Sequence, residues 1–314
     1  MAKIITPVVT ILSKNEKPDY EGNKKVIDFL IKGGVDGILV LGSAGEFPNF
    51  SVSERLDFFK FYADYVNGRV ELLAGTGCVN YEDTLYLSNA VYEMGYTPMI
   101  IGPYYFGVDQ EKLFVYYDRL AKELKGDFYL YNYPQRTGHS IEPETIKRLL
   151  ENNTNVIGLK DSVSEPGHTN MVFRAVEGHN FTVFSGYDDQ FLSNIANNGG
   201  GGCIGAFSVI VPEIWSDLVR SANEGNFKKT QALFHLIQKL MPIYNLDTNC
   251  SLILKKLLVH RGVAVDDRAV FPFNQMSDEV FGKAKSILDE VLDEYLKVLI
   301  DSAIDEYITY RKGE

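Results

Sequence analysis

Asn155-Val156-Ile157-Gly158-Leu159-Lys160-Asp161-Ser162 is a short apolar run that stops at a lysine and gives way to small polar residues. Val156 to Leu159 is continuous rather than alternating, the pattern of a strand buried on both faces, as in a parallel sheet covered by helices. Lys160 then falls where the strand emerges into a loop. Partial desolvation there favours the neutral amine, the form that attacks a carbonyl. Taken alone, the plainer reading is a strand-end lysine with its ammonium in water. The other strand ends decide between the two.

Working outward, short β-type runs alternate with longer amphipathic stretches from residue 1 to about 225. Strands are expected at Ile4–Thr10, Gly37–Leu41, Glu71–Gly75, Pro98–Ile101, Phe128–Tyr131, Val156–Leu159, Phe181–Ser185 and Gly202–Ala206. Between them, helices are expected over Tyr20–Lys32, from a Ser53 cap to Tyr65, and over Tyr81–Met94, Gln110–Leu124 and Pro143–Glu151. Repeated strand–helix units without a break predict an α/β fold, a closed (β/α)8 TIM barrel. A doubly wound open sheet would want a glycine fingerprint after the first strand, and Thr6-Pro7-Val8 is not one. After Pro212 the strands stop, and Asn226–Ile243, Cys250–Arg261 and Asp278 to about Tyr310 read as helices. The expected organisation is a catalytic barrel over 1–225 and a C-terminal helical extension over 226–314, packed as one body.

The 314 residues are 45% hydrophobic and 23% charged, ordinary globular composition with enough chain for a large core. A net charge of -11 argues against nucleic acid and anionic membrane as partners. Cys78, Cys203 and Cys250 have neither metal-ligand spacing nor close pairing, which fits reduced thiols in a cytoplasmic protein. The five histidines show no metal spacing either. Met1 to Leu12 lacks a signal sequence's apolar length, and no run approaches the roughly 20 residues of a membrane helix.

In such a barrel the chemistry gathers at the carboxyl ends of the strands. Those ends carry Thr6, Ser43, Tyr104, Tyr105, Tyr131, Arg136, Lys160, Asp188 and Asp189. An amine and a phenol converging on one mouth suit imine chemistry, the lysine attacking a keto group while the phenol moves protons. Each signal also has a plainer account. Gly42-Ser43-Ala44-Gly45-Glu46 makes a tight turn, Tyr131 an aromatic core residue, Arg136 a solvated charge, and Asp188-Asp189 a helix cap. Their order and spacing make the case.

Gly42-Ser43-Ala44-Gly45-Glu46, Pro103-Tyr104-Tyr105, Tyr131-Asn132-Tyr133-Pro134 and Gly158-Leu159-Lys160-Asp161 together resemble the dihydrodipicolinate synthase / N-acetylneuraminate lyase family. These are pyruvate-dependent Schiff-base aldolases with a (β/α)8 barrel and a C-terminal helical extension, and the resemblance spans essentially the whole chain. It implies Lys160 as the imine-forming lysine, Tyr131 as the catalytic phenol, and Ser43 as its proton relay. Tyr105 is implied as a phenol supplied across a dimer interface. The N–H groups of Ser43 and Ala44 would hold the pyruvate carboxylate, and Ile204 would line the pyruvyl site. Homotetramers built as pairs of dimers, with no metal or cofactor, are the family pattern.

The branch markers point two ways. Arg136 resembles the arginine with which synthases pair the carboxylate of aspartate semialdehyde, whereas Ser43-Ala44 stands where synthases usually have two threonines. Gly186-Tyr187-Asp188-Asp189 resembles the sugar-acid lyases, whose acidic residues accept from substrate hydroxyls. Leu41–Phe47, Lys160-Asp161-Ser162 and Tyr244–Thr248 resemble the 2-keto-3-deoxygluconate aldolase branch. The expected activity is reversible cleavage of a 2-keto-3-deoxy sugar acid to pyruvate and an aldehyde. The alternatives are 4-hydroxy-tetrahydrodipicolinate synthase and a catalytically idle keto-acid-binding regulator.

Overall fold

Eight strands, β1 (Lys3–Pro7), β2 (Gly37–Val40), β3 (Glu71–Gly75), β4 (Thr97–Ile101), β5 (Phe128–Asn132), β6 (Val156–Asp161), β7 (Thr182–Ser185) and β8 (Gly200–Cys203), form the fold. Each pairs in parallel with the next, and β8 returns to β1 through Lys3↔Gly202 and Ile4↔Cys203, which closes the barrel. This computed structural model describes residues 1–313, with side chains described through Ile304. The (β/α)8 expectation holds. Among the described residues, no helix is long and apolar enough to cross a membrane.

The strands read as continuous apolar runs because both faces are covered. Ile38, Leu73, Ile100, Leu130, Leu159 and Val183 are each fully buried. Between β4 and β7, such strand residues join Leu113, Tyr117 and Leu120 of helix Gln110–Glu123, Ile146 and Leu149 of Pro143–Asn152, and Val172 of Pro166–Ala175 in one core cluster. Each buried aliphatic side chain contributes about 1.5–3 kcal/mol over its exposed state, so this layer fixes the strands that carry the candidate site.

Several boundaries differ from expectation for local reasons. Helix Val52–Val66 is capped by Ser51, not Ser53. Ser51 accepts from the Glu54 N–H while the Glu54 carboxylate accepts from the Ser51 N–H, a reciprocal box that Ser53 has no partner to build. β8 runs over Gly200–Cys203, earlier than expected, and β1 stops at Pro7. β6 extends past Leu159, so Lys160 lies inside the strand, paired with Tyr131 on one side and Phe184 on the other. Helix Pro166–Ala175 escaped the sequence reading, as did Pro212–Asn223.

By internal contacts the chain groups into two compact units, Met1–Thr10 with Val35–Ala206 and Ile11–Gly34 with Phe207–Glu314. The first holds all eight strands. The second gathers Tyr20–Lys32 with the helices after β8, including Pro212–Asn223, which lies inside the stretch 1–225 assigned to the barrel from sequence. Within that unit Trp215, Leu233, Ile237, Leu257 and Leu288 are fully buried, and Tyr295 donates to Asp217 at 2.7 Å.

Candidate active site

Tyr131 and Lys160 are register partners on β5 and β6, so parallel pairing sets them side by side. Each is 5% exposed. Lys160 Nζ lies 4.6 Å from the Tyr131 ring centroid. So little water reaches the amine that solvation of an ammonium is largely withdrawn, and the ring face is its polarisable neighbour. Across the mouth, Ser43 Oγ and Tyr131 Oη are 3.2 Å apart, within hydrogen-bond reach. Lys160, Tyr131 and Ser43 are thus brought together.

Ser43 sits in the turn after β2. Gly45 N–H donates to Gly42 O at 3.0 Å, and Glu46 N–H donates to Ser43 O at 3.1 Å. Thr10 Oγ1 fastens the turn through Gly45 O at 2.7 Å. Leu41 and Glu46 bracket it in the left-handed region, with φ of 54° and 59°. Among the described residues the Ser43 N–H meets no acceptor, the condition for a backbone donor that receives an anion. Ala44 is buried beside it.

Arg55, which the sequence reading passed over, braces the neighbouring wall. It is 3% exposed, donates to Gly75 O at 2.6 Å, Gly77 O at 3.2 Å and Cys78 Sγ at 3.0 Å, and lies 5.2 Å from the Phe47 ring centroid. Burial lowers its pKa from the ordinary value. Phe47, Gly75, Gly77 and Tyr131 line a small apolar cavity together. An arginine in the first turn of a helix gives no sequence signal of this role.

The loop after β5 forms a short helical turn, Pro134–Thr137. Its Arg136 is exposed and lies 5.8 Å from the Tyr133 ring centroid, and Tyr133 in turn lies 5.9 Å from Tyr131, centroid to centroid. Tyr187, in the loop after β7, reaches Gln135 Oε1 at 3.4 Å. Burial, together with the phenols of Tyr133 and Tyr131, raises the Tyr187 pKa from its ordinary value. Tyr187 belongs to a stretch the sequence reading singled out for its aspartates.

Those aspartates part company. Asp188 is fully buried, and a Cβ on Gly205 would stand 2.4 Å from its Oδ1, so the carboxylate packs against the chain just after β8. Asp189 is exposed, with partial desolvation raising its carboxyl above the usual value. Ile204 is fully buried, its N–H donating to Ser185 O at 2.9 Å. Tyr105 is 84% exposed at φ 83° and stacks edge-on with Phe106. Among the described residues no contact of Tyr105 with Ser43, Tyr131 or Lys160 is seen. Thr6 is buried with an unpartnered Oγ1, and Tyr104 packs edge-on against Phe47 at 6.0 Å.

Comparison with known proteins places this geometry among relatives. The profile of the dihydrodipicolinate synthetase family matches residues 1–291. Escherichia coli YagE, provisionally named a 2-dehydro-3-deoxy-D-gluconate aldolase, is 32% identical over 92% of this chain and 96% of its own. The 4-hydroxy-tetrahydrodipicolinate synthase of Methanocaldococcus jannaschii is also 32% identical, over 93% and 98%. The crystal structure of YagE in complex with pyruvate superposes with a TM-score of 0.89 at 31% identity, covering 93% of this chain and 98% of that one. The chain belongs to the dihydrodipicolinate synthetase family.

Proposed function

We propose that the chain is a pyruvate-dependent class I aldolase that reversibly cleaves a 2-keto-3-deoxy sugar acid to pyruvate and an aldehyde. The observation that carries this reading is the buried Lys160 amine and Tyr131 phenol with the Ser43 hydroxyl beside them. The neutral Lys160 amine adds to the C2 carbonyl, and the carbinolamine loses water as Tyr131 supplies a proton, leaving an imine. The iminium draws the electron pair of the C3–C4 bond as the C4 hydroxyl gives its proton to Tyr131, so the aldehyde leaves and an enamine remains. Protonation of the enamine at C3 and hydrolysis of the imine release pyruvate and restore the amine.

Ser43 relays protons to Tyr131, and its N–H, with that of Ala44, receives the carboxylate. Ile204 lines the pyruvyl end. Asp189 reads hydroxyls at the open side, Asp188 supports that loop from within, and Arg136 meets the distal end of the substrate. Tyr105 is supplied by a neighbouring subunit of a homotetramer, and the enzyme works in the cytoplasm. Lys160 supplies the electron sink, so the proposed cycle calls for no cofactor.

Synthase activity toward aspartate semialdehyde is the second reading, favoured by the guanidinium of Arg136 beside Tyr133, a bidentate partner for a carboxylate. Borohydride reduction in the presence of pyruvate, followed by peptide mapping, tests the class: an adduct on Lys160 is expected, and its absence in folded protein refutes it. Turnover of 2-keto-3-deoxygluconate against condensation with aspartate semialdehyde then separates the two. Faster condensation, abolished by Arg136→Ala, refutes the sugar-acid assignment.

A further inference from the structure

Side chains alternate along a strand, so the residues that follow Tyr131 and Lys160 face away from them. These are Asn132 and Asp161, themselves register partners, with Asn132 Nδ2 donating to Asp161 Oδ1 at 2.9 Å. Asp161 is fully buried. Its Oδ2 accepts from Thr169 Oγ1 at 2.7 Å and lies 2.9 Å from His168 Nδ1, both on helix Pro166–Ala175. The other ring nitrogen, Nε2, is 3.1 Å from Ile141 O, and the Ile141 N–H donates back to Asn132 Oδ1 at 3.0 Å. The knot ties both strands to the helix outside β6.

Nδ1 of His168 faces the Asp161 carboxyl group, and Nε2 faces both the Ile141 carbonyl and, at 3.2 Å, the Ser140 hydroxyl. Burial alone would lower the pKa of the ring, but the hydrogen bond and charge of Asp161, the Ile141 carbonyl and the charge of Glu142 outweigh burial and raise it. His168 Nδ1, Thr169 Oγ1 and Asn132 Nδ2 surround the buried Asp161 carboxyl group.

We propose that His168 is a positioning residue for the Schiff-base chemistry. Its ring pins Asp161, and through Asp161 and Asn132 it fixes the ends of β5 and β6, so that the Lys160 amine and Tyr131 phenol hold their attack geometry. The proposal rests on the Lys160 imine reading above. His168 touches no reacting atom. A strand end that shifts by about 1 Å nevertheless costs on the order of 10²-fold in a step that depends on near-attack placement.

The test measures the rate of borohydride-trapped pyruvate adduct on Lys160 at saturating pyruvate, the pyruvate concentration for half-maximal rate, and the urea midpoint. Wild type is compared with His168→Ala, His168→Asn and His168→Gln in the full chain. Asn places an N–H near the position of Nδ1 and keeps a donor to Asp161, whereas Gln reaches toward the Nε2 position. His168→Ala is expected to slow trapping by about 10–100-fold with little change in half-saturation, and His168→Asn to recover most of that loss while His168→Gln does not. A folded His168→Ala that traps at the wild-type rate, whatever its midpoint, overturns the proposal and leaves His168 a purely structural residue. Should the Ala variant not fold, equal rates for the Asn and Gln variants overturn it. No adduct in the wild type overturns the Schiff-base reading and this proposal with it, whereas a normal wild-type adduct with unaffected variants overturns the proposal alone.

Discussion

Replacing Tyr131 with Phe deletes one oxygen and leaves the ring. The ring is what Lys160 Nζ faces at 4.6 Å, and the oxygen is what meets Ser43 at 3.2 Å. The substitution therefore keeps the packing around the amine and removes the proposed proton carrier. General acid–base catalysis by a positioned group is worth about 10²–10⁴-fold, equivalent to about 2.7–5.4 kcal/mol of barrier. The stability cost is that of one hydrogen bond, about 0.5–1.5 kcal/mol, because no cavity opens. Catalysis and folding are thus separated in size. The expected outcome is kcat for 2-keto-3-deoxygluconate cleavage reduced by 10²–10⁴-fold, KM within about threefold of wild type, and a urea midpoint close to wild type. Pyruvate release followed by coupled reduction to lactate gives the rates. A kcat within tenfold of wild type, in a protein with an unchanged midpoint, would refute the assignment of the phenol.

Three further outcomes are expected. Gly186→Ala puts a Cβ 1.9 Å from Ser162 Oγ, next to the bond from Gly186 N–H to Asp161 O, so urea unfolding should show a loss of about 1–3 kcal/mol or more; wild-type stability would mean that the strand ends yield more easily than this contact implies. The raised His168 pKa stabilises the fold fully below its unfolded value of about 6.5 and loses that contribution as pH rises through the folded value. The gap in urea midpoint between wild type and His168→Asn should therefore shrink from pH 6 upward, and a gap that is flat with pH would contradict the raised pKa. If Tyr105 serves a neighbouring site, mixing inactive Tyr105→Phe and Lys160→Ala subunits should restore activity, since one site in a mixed pair has both residues intact. No recovery on verified subunit exchange would remove Tyr105 from catalysis.

The sequence made the barrel legible because parallel strands buried on both faces leave unbroken apolar runs, and because glycines and prolines mark their ends. It also ordered Ser43, Tyr131 and Lys160 along the chain, and pairing of neighbouring strands then brought them together. What escaped it was tertiary. His168 lacks metal spacing and looks unremarkable in sequence, and its partner Asp161 becomes visible only when helix Pro166–Ala175 docks. Arg55 reads as one more polar residue on an amphipathic helix until its guanidinium is seen beneath the turn after β3. Asp188 and Asp189 are adjacent and alike in sequence, yet one is buried close to Gly205 and the other exposed.

The Tyr131↔Lys160 register has an evolutionary consequence. Adjacent strands lie about 4.8 Å apart wherever backbone hydrogen bonds hold them, so the spacing of amine and phenol is a property of the sheet. The loops beyond β5 and β7, with Gln135, Arg136, Tyr187 and Asp189, lie outside that lattice. They are free to drift in length and charge without moving the proposed reacting pair, so an ancestor of this barrel could change its aldehyde partner while its proposed pyruvate chemistry stayed intact.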